Sequence, residues 1–247
     1  MHKSLALLFA FLLTTLIAIN YLFFSSVKIE EKETVIVARV IDGDTLKLAD
    51  GRTIRLLNIN APEKNMPSSH LAKEFLSAFE NNSIQIEVTG TDKYQRSLAR
   101  LYDSNYLNLA LVEKGLSSKF LVVEDELLVF SQAEHQAIEE GKGIWEHSLW
   151  YGCFTTDIDK KKEIVSFMRK CPIPSMKGWS LKDESRKTYV FTVSPEERFI
   201  LESGEGNDNK SSFFWKSKTE IWNNDRDTLY LFDEYNKIVH TQSYGYI

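Results

Sequence analysis

Asp44, Arg55, Asn60 and Glu63 lie close together along the chain, at or just past the ends of short apolar runs. A guanidinium such as that of Arg55 grips two oxyanion oxygens at once and keeps its charge at any working pH. The Asp44 carboxylate is a hard oxygen donor of the kind calcium takes, and Asn60 offers a further oxygen without a charge. Glu63 is of the type that draws a proton from a polarised water. A second cluster, Asp92-Lys93-Tyr94-Gln95-Arg96, brings another guanidinium. From residue types alone, Arg55 and Glu63 read first as a plain surface ion pair, and 92–96 equally as a charged turn.

The elements that must position these groups are legible. Residues 35–41 are apolar and β-branched, and Asp42-Gly43-Asp44 supplies a turn. Residues 45–49 alternate, Asp50-Gly51 is a hairpin signal, and 53–59 reads as a third strand ending in Asn60-Ala61-Pro62-Glu63. These strands form a β-meander that presents its polar residues at strand ends. The period then turns helical. A helix opens at Pro67-Ser68-Ser69, carries Leu71, Phe75, Ala78 and Phe79, and stops at Asn81-Asn82. Strands over 84–88 and 97–102 follow. Helices over 107–114 and 124–140 end at Gly115 and Gly141.

The I-D-G-D-T turn, the R-L-L strand and the A-P-E ending resemble the staphylococcal nuclease family. So does Asp92–Arg96, which matches that family's D-K-Y-x-R motif. Leu111–Leu116 and Gly143-Ile144-Trp145 are a weaker third match. The resemblance covers about half of the chain and implies a five-stranded Greek-key barrel of the OB type. It also implies phosphodiester hydrolysis of DNA and RNA. Arg55 would clamp the phosphate, Arg96 would stabilise the transition state or assist departure, and Glu63 would be the general base. Lys93 and Tyr94 would touch a terminal phosphate and the base or sugar. Calcium would be held by Asp44, by Asn60 and by the backbone carbonyl of Ala61. The family usually has a carboxylate where this chain has Asn60, so a weaker calcium site is expected.

Beyond Trp145 the texture changes. Residues 151–162 read as a connector. Short strand signals then recur about every ten residues, at 163–168, 178–184, 188–191, 199–202, 213–215, 227–232 and 238–244, a spacing that suits an all-β sandwich. The words G-W-S-L-K-D-E and I-W-N-N-D-x-D-T-L-Y-L-F-D resemble the lamin-tail family, which implies an immunoglobulin-like sandwich without catalytic residues. Trp179 and Trp222 are read as core plugs. Asp225 and Asp227 are read as turn builders. Cys153 and Cys171 are the only cysteines. In an exported chain they would form a disulfide worth roughly 3 kcal/mol; in a cytosolic one they would be free thiols.

The expected fold class is therefore mainly β with some α: a nuclease-like OB barrel with helices, then a β-sandwich. The domains are expected at 35–148 and 163–247, with linkers at 28–34 and 149–162. Residues 4–27 carry no charge and are long enough to cross a bilayer. Lys3 before them and Glu30, Glu31 and Glu33 after them place the rest of the chain outside the cytoplasm. A cleaved signal peptide with secretion is the alternative. His135 and Glu139, four apart on a helix, read as solvated surface. No zinc pattern, phosphate loop or nucleophile elbow occurs. The net charge is −5, with 14 basic and 20 acidic residues over 28–150, so no broad polyanion-binding face is advertised. Two functions follow: a calcium-dependent extracytoplasmic nuclease, or a non-catalytic surface module that binds nucleic acid or protein.

Overall fold

The computed structural model describes residues 12–17 and 32–246. Residues 12–17 are helical, and the rest of the expected anchor at 4–27 lies outside the described residues. No helix among the described residues is long and apolar enough to cross a membrane.

Seven strands build the first half: β1 (Glu33–Val40), β2 (Thr45–Leu48), β3 (Thr53–Leu56), β4 (Ile59–Asn60), β5 (Ser83–Thr91), β6 (Ser97–Tyr102) and β7 (Ser118–Lys119). Five of them close into a barrel in the order β1-β2-β3-β6-β5. Alternation drives this closure. Val35, Val37, Ile54, Leu56, Ile84, Ile86, Ala99 and Leu101 all point inward and are buried. Bulges in β1 between Val37 and Arg39, and in β5 between Val88 and Gly90, bend the long strands around the barrel.

The structure corrects several expected boundaries. The expected third strand over 53–59 is broken. Asn58 sits at φ +67°, and Ile59 and Asn60 leave the barrel to pair with Lys119 and Ser118. The Asn58 side chain holds this corner by accepting from the Val123 backbone N–H at 3.1 Å and donating to Glu126. The expected linker at 28–34 gives way at its end, since Glu33 and Thr34 already pair with Ile86 and Gln85. Helices run over Ser69–Ser77, Leu107–Glu113 and Leu127–Glu139, the last preceded by a 3-10 turn at Glu124–Glu126.

The second half contains β8 (Phe154–Asp159), β9 (Ile164–Arg169), β10 (Ser180–Lys182), β11 (Thr188–Val190), β12 (Arg198–Glu202), β13 (Ser212–Phe214), β14 (Asp227–Phe232) and β15 (Ile238–Tyr244). They form two four-stranded sheets, β11-β10-β14-β15 and β13-β12-β9-β8. The stretch expected as a connector therefore holds a sandwich strand, β8. Its Thr and Asp residues mask the strand because polar side chains stand on both of its faces, with Thr156 bonded to His240 of the opposite sheet. Trp179 and Trp222 are buried in the sandwich core. Asp227 is buried and accepts backbone N–H bonds from Asn223, Glu184 and Thr228, a structural role. Cys153 and Cys171 are disulfide-bonded, with Cα atoms 5.4 Å apart.

The two halves share a core at their seam. Ala137, Ile138 and Trp145 from the barrel side pack on Tyr230, Phe232 and Ile238 from the sandwich, and Trp145 stacks on Tyr230 with centroids 5.2 Å apart. Lys119 and Glu134 form an ion pair there with both side chains out of solvent. Tyr230 donates to Glu134, and Lys119 donates to Thr228.

Candidate active site

The β1–β2 turn, the end of β3, the segment after β4 and the start of β6 meet around one polar cleft. It is lined by Asp42, Asp44, Arg55, Asn60, Glu63 and Arg96, among others, and encloses about 170 Å³. Gly43 makes the approach possible. A Cβ there would fall 2.6 Å from the Cβ of Ala61 and 2.7 Å from that of Ala72.

Arg55 and Asp44 are clamped by register. Thr45 lies opposite Arg55 in the β2–β3 ladder, and the Leu56 N–H donates to the Asp44 carbonyl at 2.8 Å. The Arg55 guanidinium meets the Asp44 carboxylate at 3.2 Å. Asp44 also accepts from the Ala61 N–H at 2.9 Å and from the Thr45 hydroxyl at 3.0 Å. Burial pushes the Asp44 carboxyl above the usual carboxylate range, against the pull of Arg55. Burial likewise lowers the Arg55 guanidinium, which Asp44 and Glu63 partly restore while Arg96 opposes. Both charges are thus short of solvation, a mark of functional sites.

The expected alternative of an Arg55–Glu63 surface pair does not form. Arg55 takes Asp44 instead, and the exposed Glu63 carboxylate makes no hydrogen bond or ion pair among the described residues. Arg96 is half-buried. Its Nη2 pairs with Asp92 at 2.8 Å, and it lies over the Tyr94 ring, 5.4 Å from the centroid. The charged turn at 92–96 is therefore real, and it also delivers Arg96 to the cleft. Lys93 and Tyr94 are not drawn in. Both are exposed on that turn, with the Lys93 ammonium 5.0 Å from the Tyr94 centroid. His135 is exposed, and Glu139 accepts from Tyr151.

The expected calcium donors Asp44, Asn60 and Ala61 all line the cleft. They are hard oxygen donors and fit such an ion in kind. The Asn60 side chain makes no hydrogen bond among the described residues, which leaves its amide oxygen free. No three carboxylate, imidazole or thiol groups converge on a metal position among the described residues, so formal charge is scarce.

Arg186 joins the cleft although nothing in its sequence surroundings points there. It stands in the turn at 183–187 between β10 and β11, on the second domain, and donates across the seam to the Asn60 carbonyl. Its φ is +67°, a conformation that costs a non-glycine residue about 1–2 kcal/mol. The turn is held by Asp183, which accepts from the Lys187 N–H at 2.6 Å and from the Ser185 hydroxyl at 2.6 Å. Burial lowers the Arg186 guanidinium, while Asp44 and Glu63 act to restore it and Arg55 opposes. A third guanidinium is therefore electrostatically part of the cleft. The one local signal is a polar turn word, D-E-S-R-K, with no spacing that ties 186 to 60.

Residues 53–147 match the family model described as staphylococcal nuclease homologue, and residues 174–246 match the lamin tail domain. A thermonuclease of Staphylococcus intermedius is 30% identical over 132 residues, covering 46% of this chain and 77% of that protein. An uncharacterized endonuclease of Escherichia coli O157:H7 is 28% identical over 115 residues, covering 44% of this chain and 74% of that protein. Similarity of that extent, over the part of the chain that forms the barrel and its cleft, shows that the protein belongs to the staphylococcal nuclease family, with a lamin tail domain joined behind.

Proposed function

We propose that the protein is a calcium-dependent nuclease that hydrolyses phosphodiester bonds of single-stranded or frayed DNA and RNA outside the cytoplasm, held at the membrane through residues 4–27. One observation carries the reading: Arg55, Arg96 and Glu63, whose carboxylate has no hydrogen bond or ion pair among the described residues, line the same cleft. The disulfide supports an oxidising location.

In this reading a phosphate enters between Arg55 and Arg96, whose guanidiniums take its anionic oxygens. Arg55 already has its orientation, since Asp44 and the Leu56 carbonyl hold it. Glu63 takes a proton from a water lying in line with the scissile P–O bond. The new P–O bond forms as the bond to the leaving sugar oxygen breaks. That oxygen collects a proton from solvent, with Arg96 stabilising its developing charge. Asp44, the Asn60 amide oxygen and the Ala61 carbonyl would hold calcium, which would supply further positive charge to the phosphate.

The alternative, a surface module that binds without cutting, is favoured by Asn60 and by the acidic balance of 28–150. Cleavage of labelled DNA and RNA by the chain, with calcium or with chelator, separates the two. Cutting should require the metal and should fall at least about a hundredfold in Glu63→Gln, the scale of a lost general base. Equal residual cutting by both proteins would remove Glu63 from the reaction and favour the binding module.

A further inference from the structure

A second cavity adjoins the catalytic cleft through Pro62 and Glu63, and it belongs to neither domain alone. Its walls include Met66, Ile144 and Trp145 from the barrel half and Lys182, Arg186 and Phe232 from the sandwich, and it encloses about 170 Å³. A cavity of about 150 Å³ takes up an aromatic ring, so this one has room for a nucleobase.

Its chemistry is that of a binding site. The indole N–H of Trp145 is buried and finds no hydrogen-bond acceptor among the described residues. A buried donor without a partner is uncommon, and it leaves this wall short of a hydrogen bond. Two cations stand at the same wall. Lys182 lies over the Phe232 ring, 4.7 Å from its centroid, and its ammonium is lowered by burial and by Arg186. Neither Lys182 nor Arg186 forms an ion pair among the described residues. Cations at an aromatic-walled cavity, next to a phosphate cleft, match the anionic backbone and flat base of a single strand.

We propose that the seam between the domains is a second nucleotide subsite, in which Arg186 and Lys182 hold the phosphate next to the scissile one and the cavity beside Trp145 and Phe232 receives that nucleotide's base. This rests on the nuclease reading and assigns the sandwich a share in substrate binding. It lies on the Glu63 side of the cleft, apart from the exposed turn that carries Lys93 and Tyr94.

The test is binding of a short fluorescent single-stranded oligodeoxynucleotide to the full chain carrying Glu63→Gln, with calcium, across a range of salt. Adding Arg186→Ala should weaken binding about tenfold and lower the slope of log K against log salt by about 0.7, the share of one phosphate contact on a single strand. Lys182→Met, which keeps most of the apolar stem, should act in the same direction. A probe scanned with single abasic positions should lose at least about fivefold at one of them, the low end for a stacked base. If Arg186→Ala does not fold, Lys182→Met and the abasic scan decide the matter. Affinity and salt slope unchanged by these variants, with no sensitive abasic position, would overturn the subsite and leave the nuclease reading standing. A Glu63→Gln chain that binds no nucleic acid, from a parent that cuts none, would instead overturn the nuclease reading and the subsite together.

Discussion

An aspartate at position 60 would add a further formal charge to the cleft, among the expected calcium donors, where only Asp44 carries one. Calcium sites tune affinity partly by ligand charge count. Asn60→Asp is therefore expected to tighten calcium binding roughly tenfold, about 1.4 kcal/mol, read by calorimetric titration of the chain. Unchanged or weaker affinity would mean that the metal, if bound, sits away from this wall. Asn60 is also one of the places where the second domain touches the first, because its carbonyl accepts from Arg186 as well as from Ser118 of β7. The residue types of Asp44, Arg55, Asn60 and Glu63 are readable along the chain because strand ends and turns are local features. The choice of Asp44 rather than Glu63 as the partner of Arg55 is not. It follows from the β2–β3 register, which sets Arg55 opposite Thr45, the residue after Asp44.

At the scale of elements, the β1–β2 turn depends on Gly43 more than on any contact it makes. Gly43→Ala would force the turn away from Ala61 and Ala72, and overpacking of this kind typically costs about 1–3 kcal/mol. The denaturation midpoint should fall accordingly, and because the turn carries Asp42 and Asp44, cutting activity should fall beyond the loss of stability. In the second half, the disulfide closes a loop with a sequence separation of 18, at the entry to the sandwich. Replacing both cysteines by serine should lower stability by roughly 3 kcal/mol in the chain-entropy account. A midpoint that does not move would show that the loop is already ordered in the unfolded chain. Strands with strong alternation, such as Asp227–Phe232, are legible residue by residue. β8 is hidden, because Thr155, Thr156 and Asp157 look like a linker until Phe167 and Phe154 are seen packing edge to face in the core.

For the whole molecule, the seam is built from charge as well as from apolar surface. Burial pushes the Glu184 carboxyl up to about 7, against the Lys119 ammonium and the Tyr246 hydroxyl, with Glu134 and Asp227 adding to the rise. A carboxyl whose folded value is raised holds its proton more firmly in the native state. Its contribution is complete below about 4.5 and is lost as pH climbs to about 7. The loss is roughly 3 kcal/mol on the scale of 1.36 per unit. Burial raises Asp183, to about 6, and Asp227 in the same sense, so Glu184→Gln should flatten this decline without abolishing it. Denaturant midpoints measured across that window check the point. The half-buried His240, lowered to about 4, acts in the opposite sense over part of this window in both proteins, so an identical pH dependence of the parent and Glu184→Gln would contradict the burial of Glu184.

The chain's local patterns determined by themselves that short strands with interspersed helices would be followed by regularly spaced strands, and which turn and strand-end residues carry reactive groups; the closed barrel was implied by the family resemblance of its motifs and not by periodicity. Alternation, caps and turn residues act over a few positions, so a linear reading captures them. Only the tertiary structure decided that Arg186 and Lys182 reach the region of Asn60 and Glu63, and that Trp145 faces a cavity shared by both halves. Arg186 and Lys182 are separated from Asn60 and Glu63 by more than a hundred residues of chain. They are brought together by the packing of two independently patterned domains, which leaves no period or spacing in the sequence to read.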